Sequence, residues 1–180
     1  MNKKILENIE VVLTDIKERN PVMLKANTPK IFLTVGLKDL PMYENPSHIR
    51  KNILSEKEAK SLGLKIGSND HYHALGKELY ITAINSLDNP LVILKSKLNN
   101  DYIAITETKN NKGIKIMIPI DINATTIVNR VKINNNRVKS VYGKEEIYKY
   151  IQNRINSGNF DLVYTKKDSW YGSNSRSKNL

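Results

Sequence analysis

The stretch "DYIAITETKNNKGIKIMIPID", residues 101–121, decides the fold. Isoleucine, threonine and other β-favouring residues fill both of its halves. The segment "KNNKG" between the halves carries asparagine and glycine, which favour a tight connection. The stretch therefore predicts a β-hairpin whose antiparallel strands are "DYIAITET" and "IKIMIPID".

Further β-rich runs lie on both sides of this hairpin. They are "LVILKSK" before it, and "TTIVNRVKI", "NRVKSVYG" and the last short strand "FDLVYT" after it. Pro29, Gly36 and Pro41 break the earlier segment 27–42 into short pieces, and residues 30–35 are expected to form a short strand or turn.

Helical patterns come mainly before the β-rich half. Residues 3–19 place an apolar stripe on one side of a helix. Three more helices are predicted from "PSHIRKNI", "SEKEAKSLG" and "ALGKELYITAINSL", and an amphipathic one follows from "KEEIYKYIQNRINSG". This order predicts an α+β fold, in which N-terminal helices pack on a twisted antiparallel sheet of four to five strands and an amphipathic helix comes later. The predicted organisation is an N-terminal helix over 1–20, one domain over 21–165 and a polar tail over 166–180.

Composition narrows the classes of function. The chain has 180 residues, 39% of them hydrophobic, and a formal net charge of +11. Such a surface favours nucleic acid first, and an anionic membrane or an acidic protein second. The chain has no cysteine, which excludes disulfides, thiolate metal sites and a cysteine nucleophile. No phosphate-binding glycine loop and no serine-hydrolase elbow occurs, and no apolar run approaches membrane length.

The three histidines are His48, His71 and His73. His71 and His73 could bind one metal ion with a third ligand such as Asp70, but no established metal motif is present. For His71 a plain surface role is favoured. Cleavage of RNA without metal needs a base for the 2′-OH, an acid for the leaving oxygen and donors for the phosphate charge. Histidine suits both proton roles because its pKa lies near neutrality.

Five segments carry a resemblance to a known family: "TPKIFLTVGLKDLPM", "PSHIRKNILSEKEAKSLGL", "YHALGKELYITAINSLDNPLVI", "YIAITETKNNKGIKIMIPIDI" and "NRVKSVYGKE". Together they cover about residues 27–146 and resemble the C-terminal domain of phage MuF-like proteins. That group is assigned to the barnase–EndoU–colicin–RelE nuclease superfamily. The resemblance implies a ribonuclease toxin with helices that carry histidine or basic residues and a sheet that carries a hydroxyl group. MuF proteins typically have a long capsid or delivery region before this domain, whereas this sequence starts at Met1; we expect either an excised domain or a stand-alone form, and the delivery route stays open.

Matched by position, the implied catalytic candidates are His48, Arg50, His73, Thr106, Ser140 and Tyr142. His48 and His73 are predicted to be the acid–base pair, with the two roles unassigned, and Arg50 to hold the scissile phosphate. Ser140 and Tyr142 would donate to the phosphate or orient a histidine. Thr106 could equally be an ordinary strand residue.

Four further residues are predicted to bind substrate. Lysine side chains would add backbone affinity that does not depend on RNA sequence, and a tyrosine could stack on an unpaired base or pack in the fold. They are Lys51, Lys139 and Lys144 for the first role and Tyr72 for the second.

The sequence thus predicts a metal-independent, cofactor-free endoribonuclease toxin that leaves a 2′,3′-cyclic phosphate. We expect it to act in the cytoplasm of the producing or target bacterium and to be covered by an acidic immunity protein. Two alternatives are a non-catalytic nucleic-acid-binding or phage-structural module, and a metal-dependent DNase that uses His71 and His73.

Overall fold

The computed structural model describes residues 3–99 and 101–166. The predicted tail over 166–180 lies outside this range except for Lys166. The described helices are α1 (Lys3–Thr14), α2 (Lys30–Thr34), α3 (Pro46–Ile53), α4 (Glu56–Ser61), α5 (Lys77–Asn85) and α6 (Ile147–Asn156). None of them combines the length and apolar character that a membrane crossing requires.

The described strands are β1 (Val22–Lys25), β2 (Met42–Glu44), β3 (Val92–Ser96), β4 (Asp101–Lys109), β5 (Lys115–Val128), β6 (Val131–Val138), β7 (Tyr142–Gly143) and β8 (Phe160–Thr165). They form one sheet in the order β1-β2-β6-β5-β4-β3-β8, with β7 paired to β5. Every pairing is antiparallel except the parallel contact of β2 with β6.

The predicted α+β class and the 101–121 hairpin are confirmed, since β4 pairs with β5 across Gly113. The predicted number of strands is wrong: the sheet has eight strands rather than four to five. β1 and β2 come from the segments around Pro21 and Pro41, where prolines hid the strands. Residues 30–34 form helix α2 instead of a strand or turn.

The run "TTIVNRVKI" also proved to be two strands rather than one. Val128 pairs with Val131, and the intervening Asn129 and Arg130 both have positive φ, at 48° and 68°. Two central residues of positive φ are typical of a type I′ hairpin turn. This turn lacks the glycine that usually marks such a turn in a sequence, so "TTIVNRVKI" was interpreted as one continuous β-rich run.

The sheet buries a different core on each face. Ile116, Ile118 and Ile120 alternate onto the face that is covered by the helices preceding the sheet, whereas Met117 packs against Ile147 and Ile151 of α6 on the opposite face. α1 places its buried stripe in the first of these cores. Helix α3, which carries His48, therefore packs against one face of the sheet through Ile49 and Ile53.

Candidate active site

A cleft of about 210 Å³ opens where α3, the loop before α5 and the segment between β6 and β7 meet. All three histidines of the chain line it. Its lining residues are His48, Lys51, Asn52, Asn69, His71, His73, Lys139 and Ser140. A larger hollow of about 370 Å³ lies beside α1, but no histidine lines it. The cleft is therefore the place where proton-transfer groups gather.

Helix α3 supplies one wall of the cleft through residues that share one helical face. Pro46 opens the helix after the extended Asn45, because proline needs no amide partner in the first turn. His48 is followed three and four positions later by Lys51 and Asn52, the spacing that brings side chains together on a helix. The opposite face carries the buried Ile49 and Ile53.

The loop that carries His73 is bonded to the end of the same helix. The amide of His73 donates to the carbonyl of Lys51 at 2.7 Å, and the amide of Leu75 donates to that of Asn52 at 3.0 Å. The amides of Ala74 and Gly76 bind the next two carbonyls, those of Leu54 and Ile53, at 3.2 and 3.0 Å. Helix ends leave such carbonyls without intrahelical partners. The amides of residues 73–76 supply the missing partners, and these bonds hold His73 beside α3.

Ser140 reaches the cleft from a break in the sheet. β6 ends at Val138 and β7 begins at Tyr142, so residues 139–141 leave the ladder between two pairings with β5. The Oδ1 of Asn52 accepts hydrogen bonds from Ser140 Oγ at 3.2 Å and from the Val141 amide at 3.1 Å. Ser140 Oγ also lies 3.3 Å from Nε2 of His73.

Tyr142 fixes the plane of the His73 ring. The two rings stack with centroids 5.0 Å apart and planes inclined by 20°. Burial raises the pKa of Tyr142, so its hydroxyl stays protonated and can donate. His48, His73 and Ser140 thus line one cleft, and Tyr142 contacts the ring of His73 without lining the cleft; the catalytic roles of these residues stay predictions.

Burial and nearby positive charge lower the pKa values of His48 and His73, which favours their neutral forms. Burial is the main cause that lowers the pKa of His48, and the charges of Lys51 and Arg137 add to it. Burial likewise lowers the pKa of His73, with a smaller effect from His71. Nδ1 of His48 is shielded from solvent and has no hydrogen-bond partner among the described residues. A hydrogen bond with the backbone of Lys139 acts in the opposite direction and raises the pKa of His48, but the lowering effects outweigh it.

Beneath the cleft lies a buried polar group that sequence reasoning missed. Glu44 is fully buried; its carboxyl accepts from Asn52 Nδ2 at 2.6 Å and from the hydroxyl of Tyr80 at 2.5 Å. Burial raises the pKa of Glu44 to about 8, although both hydrogen bonds oppose the shift. Asn52 could have been found from its position four residues after His48. Nothing in the sequence around Glu44 shows that this strand end is buried.

Arg50 does not reach the cleft, and the prediction that it holds a phosphate is wrong. Its side chain points to the other side of α3 and is 3% exposed. Nε donates to the carbonyl of Val12 at 2.8 Å, and one terminal nitrogen donates to those of Asp15 and Glu18 at 2.8 and 3.1 Å. Arg50 therefore ties the end of α1 to α3.

Thr106 is also a structural residue in this fold. It is fully buried, and its hydroxyl donates to the carbonyl of Ile116 at 3.2 Å. A hydroxyl enclosed in the sheet cannot meet a polymer substrate, so the catalytic role considered for Thr106 does not fit. Tyr72 packs against the core cluster, and Lys144 lies 5.1 Å above the ring of Tyr150 outside the cleft lining.

Lys51 and Lys139 line the cleft as predicted, but each has an acidic neighbour. Lys51 pairs with Asp70 at 2.6 Å, and Lys139 lies 3.4 Å from Asp101. His71 lines the cleft too, although a plain surface role was expected for it. Within residues 3–99 and 101–166, no three acidic or histidine side chains are grouped so that they could hold a metal ion.

The chain is also related in sequence to a known protein family. The family model of the phage MuF C-terminal domain matches residues 65–170, more than half of the chain. The chain belongs to the phage MuF C-terminal domain family. No curated protein and no solved structure showed significant similarity to it.

The family match covers only part of the cleft of this MuF C-terminal domain. The matched region contains His71, His73, Lys139 and Ser140. The whole of α3, with His48, lies before residue 65. The match is therefore shorter at its start than the resemblance over 27–146 and extends further at its end. The family match therefore does not include the half of the cleft that lies on α3.

Proposed function

We propose that this MuF C-terminal domain is a metal-independent endoribonuclease that acts as a toxin. The observation that carries the proposal is the convergence of His48 and His73 with Ser140 in one basic cleft. One neutral imidazole would take the proton from a ribose 2′-OH, and a protonated one would give a proton to the leaving 5′ oxygen. The products would be a 2′,3′-cyclic phosphate and a free 5′-OH.

Other groups at the cleft would handle the phosphate charge. The ammonium groups of Lys51 and Lys139 would face the phosphate once it competes with their acidic neighbours Asp70 and Asp101. Tyr142 stacks on His73 without lining the cleft, so of the two roles predicted for it we propose that it orients this histidine. The net charge of +11 would attract the rest of the RNA backbone.

The test is to incubate the protein with total RNA in EDTA and to analyse the cut ends. We expect cleavage with 2′,3′-cyclic phosphate ends, and a loss of about 100-fold or more in His48→Ala and in His73→Ala. Lys30→Ala, on α2 away from the cleft, is the control for a substitution on the basic surface outside the cleft. Melting temperatures close to that of the wild type would show that the histidine variants are folded.

Three other results of this test would each contradict part of the proposal. Salt-sensitive binding to RNA or DNA that leaves the polymer intact would favour the non-catalytic module. Activity that appears only with an added divalent ion would favour the metal-dependent DNase. Equal cleavage by both histidine variants would refute the acid–base roles.

A toxin of this kind needs protection in the cell that makes it. We therefore propose an acidic immunity protein that covers the basic cleft, and action in the cytoplasm of the producing or target bacterium. The charge of the chain and its resemblance to nuclease toxins of the barnase–EndoU–colicin–RelE superfamily support this proposal. Gel filtration with the product of the neighbouring gene tests it, and a product that neither binds nor blocks cleavage would contradict it.

A further inference from the structure

A chain of hydrogen bonds connects the buried Glu44 to His73. Glu44 accepts from Nδ2 of Asn52 at 2.6 Å, and Oδ1 of Asn52 lies 3.2 Å from Ser140 Oγ. Ser140 Oγ in turn lies 3.3 Å from Nε2 of His73. Each group in the chain can donate only the hydrogens it has, so the direction of every bond can be worked out.

The orientation of the Asn52 amide is fixed first. The backbone amide of Val141 lies 3.1 Å from Oδ1, and a backbone N–H can only donate. The atom facing Val141 must therefore be the oxygen, which directs the NH2 group to Glu44. Asn52 is 1% exposed, so solvent offers these groups no alternative partner.

The single hydrogen of Ser140 is fixed next. The Ser140 hydroxyl lies 3.2 Å from Oδ1 of Asn52, and of these two oxygens only the hydroxyl has a hydrogen to donate. The Ser140 hydroxyl must donate to Asn52, and it then presents only lone pairs to His73. Nε2 of His73 must consequently carry a hydrogen and donate it to Ser140.

Stacking on Tyr142 keeps the His73 ring in this position. The near-parallel rings, inclined by 20°, leave the imidazole no freedom to tilt. A half-turn of the ring about the Cβ–Cγ bond would exchange Nε2 for Cε1 and lose the contact with Ser140. The ring is therefore held with Nε2 towards Ser140.

We propose that Asn52 and Ser140 set the tautomer of neutral His73, with the hydrogen on Nε2 and the lone pair on Nδ1. The catalytic part of this inference rests on the proposed ribonuclease function: Nδ1 is the nitrogen that exchanges a proton with the RNA. Of the two roles predicted for Ser140, orienting a histidine is the one that remains, since its hydrogen is committed to Asn52. Asn52 is a positioning residue that acts through Ser140.

The tautomer can be measured directly by NMR on the ¹⁵N-labelled full chain. Long-range ¹H–¹⁵N correlation spectra at pH 8 distinguish a ring nitrogen that bears hydrogen from one that bears a lone pair. The chain has only three histidines, so single substitutions assign the signals. We expect a protonated-type shift for Nε2 and a lone-pair-type shift for Nδ1 of His73. The reverse pattern in the folded wild type would overturn the proposal.

Two variants test the cause. Asn52→Ala removes the acceptor of the Ser140 hydrogen, which is then free to turn to Nε2, so the tautomer should invert. Ser140→Ala removes only a hydroxyl and should move His73 towards a mixture of tautomers, whereas Ser140→Thr keeps the hydroxyl and the wild-type pattern. Should Asn52→Ala not fold, Ser140→Ala still decides: an unchanged pattern in the folded variant would refute the role of Ser140.

These measurements are independent of RNA cleavage. A wild type with the expected tautomer but without activity would refute the proposed function and leave this inference intact. An active enzyme with hydrogen on Nδ1 of His73 would do the opposite.

Discussion

Glu44→Gln should remove a pH dependence from the stability of the fold. The folded protein binds a proton on Glu44 up to about pH 8, whereas the unfolded chain loses it near its ordinary value of 4.5. Between these values the folded state holds more protons, so stability falls as the pH rises. Each pH unit costs about 1.4 kcal/mol, and the full difference approaches roughly 5 kcal/mol.

The neutral amide of glutamine imitates the protonated carboxyl. Its oxygen can accept from Asn52, and its NH2 group can meet the Tyr80 hydroxyl. We therefore expect Glu44→Gln to be about as stable as the wild type near pH 5 and to exceed it by roughly 3–4 kcal/mol near pH 8. His48 and His73 have lowered pKa values and act in the opposite direction below their ordinary value of 6.5. Their effect cancels when the two proteins are compared at the same pH.

The assay is urea unfolding followed by far-ultraviolet circular dichroism at half-unit steps from pH 5 to 8.5. Glu78→Gln, an exposed carboxyl on α5, is the control for the loss of one acidic group. A constant difference between wild type and Glu44→Gln across this range would show that Glu44 does not hold its proton in the folded state.

Three other substitutions or conditions give direct outcomes. Arg50→Ala should lower the free energy of unfolding in urea by about 3 kcal/mol, because three carbonyl oxygens near the end of α1 lose their charged donor. A change below about 1 kcal/mol would contradict the structural role of Arg50. Ser55→Ala should cost about 1 kcal/mol in the same assay, since it breaks the capping box at the start of α4, and an unchanged midpoint would argue against it. RNA cleavage should be fastest below pH 6.5 and fall towards pH 8, because the pKa values of His48 and His73 are both lowered and the protonated acid is lost first. A rate that rises steadily to pH 8 would exclude this pair.

Local patterns predicted the parts of the fold whose signals are local. The hairpin over 101–121 and the helices predicted from "PSHIRKNI" and "SEKEAKSLG" all depend on residues close in sequence. β1 and β2 were missed because they exist through pairing with each other and with β6, which is distant in the chain. The turn at Asn129 and Arg130 was missed because it uses no glycine.

The same distinction between local and long-range signals applies to the residues of the candidate site. His48, His73 and Ser140 were found because their chemistry and the family resemblance single them out. Arg50 was misassigned because a sequence does not show which way a helical side chain points: Arg50 belongs to the side of α3 that binds α1. The supporting groups Asn52 and Glu44 depend on contacts between distant segments, which local sequence does not reveal.

The bonds between residues 73–76 and the last carbonyls of α3 have a consequence for variation among related chains. They close a loop: the chain leaves α3, runs through residues 55–72, which contain α4, and returns to the C-terminal end of α3. A longer or shorter loop need not displace His73, because the backbone hydrogen bonds of residues 73–76 set its position. We expect insertions and deletions in relatives to accumulate between residues 55 and 69 rather than within residues 73–76.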